Sequence, residues 1–284
     1  WLAAPAPMGS LEFISPQAAV AAAAVTRDPV EMFDELLALV ASEDDGALAE
    51  LDRLQDRLGI DLRNELAATF GGEAAFALDG PMLPVPSWKL VVEVYDPATL
   101  AHTLERAVTE LNLILAERGE APLVLEVETV DGRSYTSLSR GASLAARATF
   151  TVVDGYLVAG PGRAVVDQAI AQRDSGLSLS GAEDFRAMLP DNGFSDCSAL
   201  VYRNLGALAS AVPEELLRSY GIAGSLGDGG LGSGLVCVFA ETDRLSLSAT
   251  GGGLPLVSTL LGLVTAEDAA AVAVAPTSAV SSAG

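Results

Sequence analysis

The chain is short of the residue types on which most catalytic sites depend. His102 is its only histidine, so no zinc site with two histidines can form, and any Ser-His-Asp or Cys-His mechanism would have to use this residue. His102 falls on the polar side of the helix expected after Pro97, where a solvated surface histidine is favoured over a catalytic base. Lys89 is the only lysine, and no Ser-x-x-Lys or Gly-x-Ser-x-Gly pattern occurs. The sequence therefore predicts a protein that is not an enzyme.

Positive charge is scarce as well. The 284 residues carry 16 Lys and Arg against 38 Asp and Glu, which gives a formal net charge of -22. Phosphate backbones and anionic membrane surfaces repel a chain of this charge. Because no basic stripe is available to neutralise phosphates, we predict no nucleic-acid binding.

Long apolar runs are missing, so no membrane-spanning helix is predicted within this sequence. No uncharged apolar stretch reaches eighteen residues. Residues 1–16 are rich in proline and alanine, which is typical of a linker after a removed signal or a membrane anchor; an equally open alternative is that the sequence simply starts there. Residues 266–284 are predicted to be a low-complexity tail. Order in such terminal segments would indicate a partner surface or a larger assembly.

Only two cysteines are present, Cys197 and Cys237, each beside an apolar strand-like run. If these runs are neighbours, the cysteines can form a disulfide. In an exported protein, such a bond would close a loop of about forty residues and stabilise the fold by roughly 3 to 4 kcal/mol. Two separate buried thiols are the alternative, and the sequence alone favours them because free cysteine is among the most buried residue types.

What the chain does contain is a repeated junction between strand and helix. Apolar runs at 18–26 and 90–95 are followed by Asp-Pro, at Asp28 and Asp96, and a helical pattern begins there. An aspartate can accept hydrogen bonds from the free amides of a helix start. Proline fits the first helical position because the N–H that it lacks would have no acceptor within the helix. Asn204 takes the same place after a third strand. Asp28, Asp96 and Asn204 are therefore predicted helix caps with a structural role.

Hairpin and helix signals together predict an α+β fold. Asp131-Gly132 and Asp154-Gly155 are strong turn signals between β-forming runs, and they imply antiparallel pairing. We expect mixed, largely antiparallel sheets with helices packed on one face. The order of elements recurs, which indicates either a pseudo-repeat of strand-helix-hairpin units or chance recurrence of a common motif. The predicted domain spans residues 17–265, with halves 17–122 and 123–265.

Two glycine-rich segments and two acidic segments look like ligand sites but fit structural roles better. Gly227–Gly232 matches Gly-x-Gly-x-x-Gly, yet it precedes a strand rather than a helix and is predicted to be a flexible loop. Gly160–Gly162 has the strand-to-helix context of an anion site but lacks a third glycine and a following lysine. The acidic segments 43–45 and 191–196 lack the spacing of a calcium loop. No cofactor and no metal are predicted.

Glu126 and Glu128 are the remaining pair of carboxylates that could act in catalysis. They lie two residues apart on one face of a predicted strand, as the acid and base of a glycosidase could. On an exposed strand this spacing is a common solubility pattern, and only 5% of the residues are aromatic, which leaves few surfaces for sugar stacking. The solubility interpretation is therefore favoured.

Several blocks of the sequence form a pattern of turns and core positions. They are Leu58–Leu66, Gly71–Leu78, Lys89–Pro97, Thr149–Ala159 with the helix that ends near Ile170, Phe185–Leu189, and the strand at Tyr202. In these blocks the chain resembles a bacterial family known as domain of unknown function 3352, over most of residues 12–250. Members are typically exported or tethered by one N-terminal membrane segment, and the resemblance implies the same here. It implies no activity and no catalytic residue.

These observations predict a non-enzymatic structural or accessory subunit outside the cytoplasm, in the periplasm or at the cell surface. Its partners are expected to be other protein subunits, bound through sheet edges, terminal segments or the Gly-rich loop. Membrane attachment would come only from an anchor outside these 284 residues. The alternative is a carrier of an apolar ligand, held in a cavity between a helix and a sheet. An enzyme is the least favoured class.

Overall fold

The computed structural model describes residues 1–43, 45–141, 147–190, 196–204, 206–207, 232–251 and 272–274. The α-helices are α1 (Pro29–Glu43), α2 (Asp45–Leu58), α3 (Pro97–Glu117), α4 (Arg163–Ser175) and α5 (Glu183–Met188). The strands are β1 (Val20–Val25), β2 (Phe70–Leu78), β3 (Trp88–Val94), β4 (Leu123–Val130), β5 (Arg133–Arg140), β6 (Arg147–Val153), β7 (Tyr156–Gly160), β8 (Ala199–Asn204), β9 (Ser233–Ala240), β10 (Leu245–Gly251) and β11 (Val272–Val274). Short helical turns cover Gly9–Phe13, Leu62–Leu66 and Ala67–Thr69.

Helices and a large, mostly antiparallel sheet make this an α+β protein, as the hairpin signals predict. Backbone contacts divide the chain into two compact units. The bounds of both units differ from the expected halves, 17–122 and 123–265, because antiparallel pairing joins strands that are far apart in sequence, such as β1 and β8. The first unit contains Trp1, Thr26–Ala74 and Ser87–Ile170, and the second contains Leu2–Val25, Ala75–Pro86 and Ala171–Gly284.

In the first unit the strands follow the order β2-β3-β7-β6-β5-β4, with β2 contributing its first residues. Two-residue turns connect β4 to β5 and β6 to β7. Positive φ angles at Asp131 (52°) and Gly132 (80°), and at Asp154 (48°) and Gly155 (82°), identify both as type I′ turns. Their twist matches that of the flanking strands, so both hairpins form where the Asp-Gly signals predict them.

Helices cover both faces of this sheet. Tyr135 and Thr136 are consecutive in β5 and therefore point to opposite faces. The Tyr135 hydroxyl donates to Asp167 of α4, at 2.5 Å, whereas Thr136 lines a cleft beside Leu100 of α3. We call these sides the α4 face and the α3 face. The expectation of helices on one face is thus wrong for this unit.

Strand β7 gives the physical reason for this correction. Leu157, Val158 and Ala159 are consecutive and all buried. Side chains alternate across a strand, so three buried residues in a row need cover on both sides of the sheet.

In the second unit the strand order is β11-β10-β9-β8-β1-β2, with β2 contributing its last residues. Its core includes Met8, Leu11 and Ile14, which pack with residues of β1, β8 and β9. The amide of Ala3 also donates to the carbonyl of Val25 at 2.9 Å. Residues 1–16, expected to be a linker, are therefore ordered by contacts within the chain, since their apolar side chains complete this core.

The C-terminal segment is described only at Val272–Val274, which forms β11 and pairs in parallel with β10. The rest of the predicted tail at 266–284 lies outside the described residues. In the described part of the chain, no helix is both long and apolar enough to cross a membrane.

Candidate functional site

Strand β4 lies at the end of the strand order in the first unit and pairs with β5 on one side. The two-residue turn makes Val130 and Arg133 a hydrogen-bonded pair, and such pairs recur at every second residue of the ladder. The even-numbered residues of β4 therefore direct their N–H and C=O groups to β5. The odd-numbered residues direct theirs outward.

The start of this outer edge is closed by a side chain. Asn112 of α3 accepts a hydrogen bond from the Leu123 amide at 2.7 Å and donates one to the Leu123 carbonyl at 2.9 Å. Its amide group thus takes the place of a neighbouring strand residue, and it confirms independently that odd-numbered residues of β4 point outward.

Beyond Leu123, the outer edge is open. Within the described residues, no group pairs with the outward N–H and C=O of Leu125, Val127 and Thr129. An unpaired strand edge is a template for another chain, and natural proteins usually blunt it with proline, with charged side chains, lysine above all, or with a very short strand. Strand β4 has eight residues and contains neither proline nor lysine. We call Leu125–Thr129 the open edge.

The side chains of β4 are exposed on both faces. Val127, on the α3 face, is 60% exposed, and Val124, on the α4 face, is 42% exposed. Glu126 and Glu128 are exposed beside Val124 on the α4 face. The edge therefore presents valine on both faces and two carboxylates on one.

Two arginines lie on the α4 face: Arg133, whose Nη1 atom is 3.5 Å from the Tyr135 hydroxyl, and Arg163, which lies nearest to the carboxylates. The Arg163 Nε atom lies 3.7 Å from Glu128 Oε1 and 3.8 Å from Asp167 Oδ2, so a single guanidinium is shared at long distance. Behind the edge, burial raises the pKa of Tyr135, and its hydrogen bond to Asp167 adds to that rise. The α4 face of the edge keeps a surplus of negative charge.

A cleft of about 560 Å³ lies between the start of α3 and strands β5 and β6. Its lining is mixed in character: leucine, phenylalanine and valine side chains meet hydroxyls, two aspartates and an arginine. The lining residues are Pro97, Leu100, Ala101, Asp131, Gly132, Arg133, Ser134, Thr136, Phe150, Thr151, Val152, Val153 and Asp154.

Helices α1 and α2 border a second hollow of about 560 Å³. Leu36, Leu39 and Leu54 of these helices are each more than two-fifths exposed. At the rim, Arg63 donates two hydrogen bonds of 2.8 Å to Asp34, and these bonds lower the pKa of Asp34. The hollow is lined by Phe33, Leu37, Gln55, Asp56, Gly59, Ile60, Asp61, Arg63 and Asn64.

The residues predicted as helix caps make the following contacts. Asp28 Oδ1 accepts from the Val30 amide at 2.7 Å. Asp96 Oδ1 accepts from the Thr99 amide at 3.0 Å, and this bond is the main reason why the pKa of Asp96 is lowered. Asn204 Oδ1 accepts from the Ala207 amide at 3.0 Å, although the helix expected there lies mostly outside the described residues.

Cys197 and Cys237 form a disulfide, with their Cα atoms 5.6 Å apart. Cys237 lies in β9, and Cys197 stands just before β8, which pairs with β9. The structure therefore differs from the two separate thiols that the sequence alone favours. The pairing depends on strand order, which sequence spacing does not encode.

The other candidate residues are not brought together. His102 is exposed on α3, Lys89 is fully buried in β3, and Glu126 and Glu128 lie on the sheet edge rather than in a cleft. Within the described residues, no group of three or more His, Cys, Asp and Glu side chains could hold a metal ion.

Of the two glycine-rich and two acidic segments, only Gly160–Gly162 is described in full. A Cβ atom at Gly160 would approach Val165 to 3.0 Å, so close packing explains that glycine. Residues 227–231 and 191–195 lie outside the described residues, as does Asp44.

Neither the edge position of β4 nor the role of Asn112 was predicted from the sequence. Two signals for the edge were present. The two-residue Asp-Gly turn determines that the odd-numbered residues of β4 direct their backbone groups outward, and valines occur on both faces of the strand. Asn112 lies among leucines in the middle of a long helix and carries no local signal, because its partner Leu123 is supplied by the next element.

Comparison with known proteins gives few parallels. No family model matches the chain, and no curated protein matches it. Among solved structures, the one described as "Structure of crystal form III of TP0453" is similar over 88% of this chain and 85% of its own, with 8% sequence identity and a TM-score of 0.38. We therefore draw function from the geometry of this chain alone.

Proposed function

We propose that the chain is a non-enzymatic, extracytoplasmic accessory subunit that binds another protein through the open edge of β4. The observation that carries this proposal is the run of outward N–H and C=O groups at Leu125, Val127 and Thr129, which pair with nothing in the described residues. A partner strand would pair with all of them.

Strand addition suits this edge on physical grounds. An extended segment that joins a sheet gains affinity from main-chain hydrogen bonds, each worth about 0.5 to 1.5 kcal/mol net. Pairing would also cover Val124 and Val127, whose exposure is costly in water. Because β5 already holds the other side of β4, the strand is ordered before binding, which lowers the entropic cost of association.

The disulfide supports the extracytoplasmic part of the proposal. Structural disulfides persist in oxidising compartments and are rare in reducing ones. Both sulfur atoms belong to buried residues, Cys197 and Cys237, which is typical of a structural bond rather than a reactive thiol pair.

The separation of the candidate catalytic residues supports the proposal that the chain is not an enzyme. Catalysis by the only histidine or the only lysine would need a partner group beside it in a cleft. His102 faces solvent on α3, and Lys89 is enclosed in β3. The paired carboxylates Glu126 and Glu128 belong to the exposed edge.

A photo-crosslinker at the edge tests the proposal in the native host. With p-benzoylphenylalanine in place of Val127, we expect one adduct of discrete mass; in place of Leu177, which is 72% exposed on the second unit, we expect none. Adding Thr129→Pro to the Val127 probe removes an outward amide and should suppress the adduct. Equal adducts at both positions, or an adduct unaffected by Thr129→Pro, would contradict the proposal.

The carrier of an apolar ligand stays the second candidate because of the cleft under α3. Its volume of about 560 Å³ lies in the range of small-molecule sites, and Leu100, Phe150 and Val152 give it an apolar side. Under this alternative, protein purified without detergent retains an apolar molecule in native mass spectra. The variant Ala101→Trp, which fills the cleft, then reduces the fraction of the protein that carries this molecule.

A further inference from the structure

We infer that the occupant of the open edge is a basic extended segment of a different protein, with Lys or Arg opposite Glu126 and Glu128 and apolar residues between them. This inference rests on the proposed function and specifies its partner. Two features carry it: the one-sided placement of the carboxylates and the consequences of pairing β4 with itself.

The carboxylates define which side of the partner strand is basic. Glu126 and Glu128 both lie on the α4 face, whereas Leu125, Val127 and Thr129 point to the α3 face. Directly opposite residues in neighbouring strands share a face, so a partner residue facing either glutamate meets a carboxylate. The partner therefore alternates basic and apolar side chains.

Few positive charges of this chain compete with a partner for Glu126 and Glu128. Arg163 lies 3.7 Å from Glu128 and is shared with Asp167, and the described residues show no ion pair to Glu126. The whole chain carries a formal charge of -22, which attracts a basic segment during approach and repels an acidic one.

A second copy of β4 is a poor occupant of the edge. Outward groups belong to the odd-numbered residues, so two β4 strands pair antiparallel only with odd opposite odd. With Val127 opposite Val127, Glu126 faces Glu128 twice; with Leu125 opposite Val127, Glu126 faces Glu126. These are the two registers with the longest overlap, and like charges directly opposite each other destabilise a sheet. The glutamates thus select against self-association.

Binding of synthetic peptides to the full chain tests this inference. Three nine-residue peptides alternate valine with lysine, serine or glutamate, and fluorescence anisotropy measures their dissociation constants at two salt concentrations. We expect the lysine peptide to bind about tenfold tighter than the serine peptide, since two opposite-charge pairs form, and the glutamate peptide to bind weakest. The advantage of the lysine peptide should shrink at high salt.

Two variants separate local pairing from overall charge. Glu126→Gln with Glu128→Gln should weaken the lysine peptide to the level of the serine peptide. The matched control, Glu50→Gln with Asp52→Asn on α2, removes the same charge from exposed positions and should leave the preference intact. A loss of the same size in the control would overturn the inference, because it would mean that net charge alone attracts the peptide.

Failure of the partner chemistry and failure of the edge give different results. If the serine peptide binds the unaltered chain as tightly as the lysine peptide, the edge still binds a strand but the basic partner is wrong. If Val127→Pro leaves all binding unchanged, or if no peptide binds, both proposals are wrong. We expect Val127→Pro to abolish binding of the peptides. A lysine peptide whose backbone amides facing β4 are N-methylated makes the same test without altering the protein, and we expect it not to bind. Sedimentation that shows a dimer abolished by Val127→Pro would contradict a heterologous partner.

Discussion

At the scale of single residues, side chains form hydrogen bonds with backbone N–H and C=O groups that helices and strands leave without a partner. Asn112 supplies both a donor and an acceptor to the backbone of Leu123, where no strand of the described residues pairs. Asp61 supplies an acceptor at a helix start, where its carboxylate accepts from the amides of Arg63 and Asn64. Such groups decide where an element ends.

Replacement of Asn112 tests its role at the start of β4. We expect Asn112→Leu to lower the free energy of unfolding by about 1 to 2 kcal/mol, since the Leu123 amide and carbonyl lose their partners while helix propensity is kept. Urea unfolding followed by circular dichroism measures the change. The neighbouring Leu113→Ala is the control, because Leu113 is 58% exposed and should change stability by no more than about 0.5 kcal/mol. Equal losses in the two variants would argue against the bridging role.

Asp96 predicts a dependence of stability on pH. Hydrogen bonds from Thr99 lower the pKa of Asp96 below its ordinary value of 3.8, so the folded state favours the ionised carboxyl. This contribution is complete above the ordinary pKa and is lost as the pH falls through the lower folded pKa. The stability difference between the unaltered chain and Asp96→Asn should therefore shrink as the pH is lowered below about 4. Urea unfolding between pH 6 and 2.5 measures it, with Glu50→Gln as a control that removes an acid from an exposed helix position.

At the scale of elements, local signals were predictable and strand order was not. The type I′ turns after β4 and β6 follow from Asp-Gly alone, because positive φ at two successive residues limits the residues that fit. The edge position of β4 depends on which distant strands pair, and the cover on both sheet faces depends on where α3 and α4 return. Neither is encoded in a window of a few residues, so both escaped sequence analysis.

Proline at neighbouring positions of β4 tests the assignment of inward and outward groups. Glu126→Pro removes a hydrogen bond to β5 and leaves the acceptor on β5 without a partner, so it should cost about 1 to 3 kcal/mol more than Val127→Pro, which removes an outward amide. Chemical unfolding of the two variants provides the comparison. The reverse order of stabilities would show that the open edge is assigned to the wrong residues.

At the scale of the whole molecule, the α+β class follows from sequence but its division does not. The first unit gathers three separate parts of the chain, and the second gathers three others. Cys197 and Cys237 belong to the second unit, whereas both tryptophans, Trp1 and Trp88, belong to the first. Each unit thus has its own covalent or spectroscopic marker.

Removal of the disulfide should act on the second unit. The bond joins residues 40 apart in sequence, so on the chain-entropy model its loss costs roughly 3 to 4 kcal/mol. We expect Cys197→Ala with Cys237→Ala to lower the unfolding midpoint seen by circular dichroism more than that seen by tryptophan fluorescence. The unaltered chain under reducing conditions should behave in the same way. Identical shifts by both probes would indicate that the units unfold as one.

The packing of Met8, Leu11 and Ile14 against Leu200 and Leu235 has a consequence for synthesis. These N-terminal side chains leave the ribosome long before Leu200 and Leu235 are synthesised. At ordinary elongation rates, the segment between Ile14 and Leu200 takes about 10 to 40 s to make. During that interval the nascent chain exposes an apolar segment that lacks the part of its core supplied by β8 and β9, and exposed apolar segments are what chaperones recognise. The second unit can close only near the end of translation.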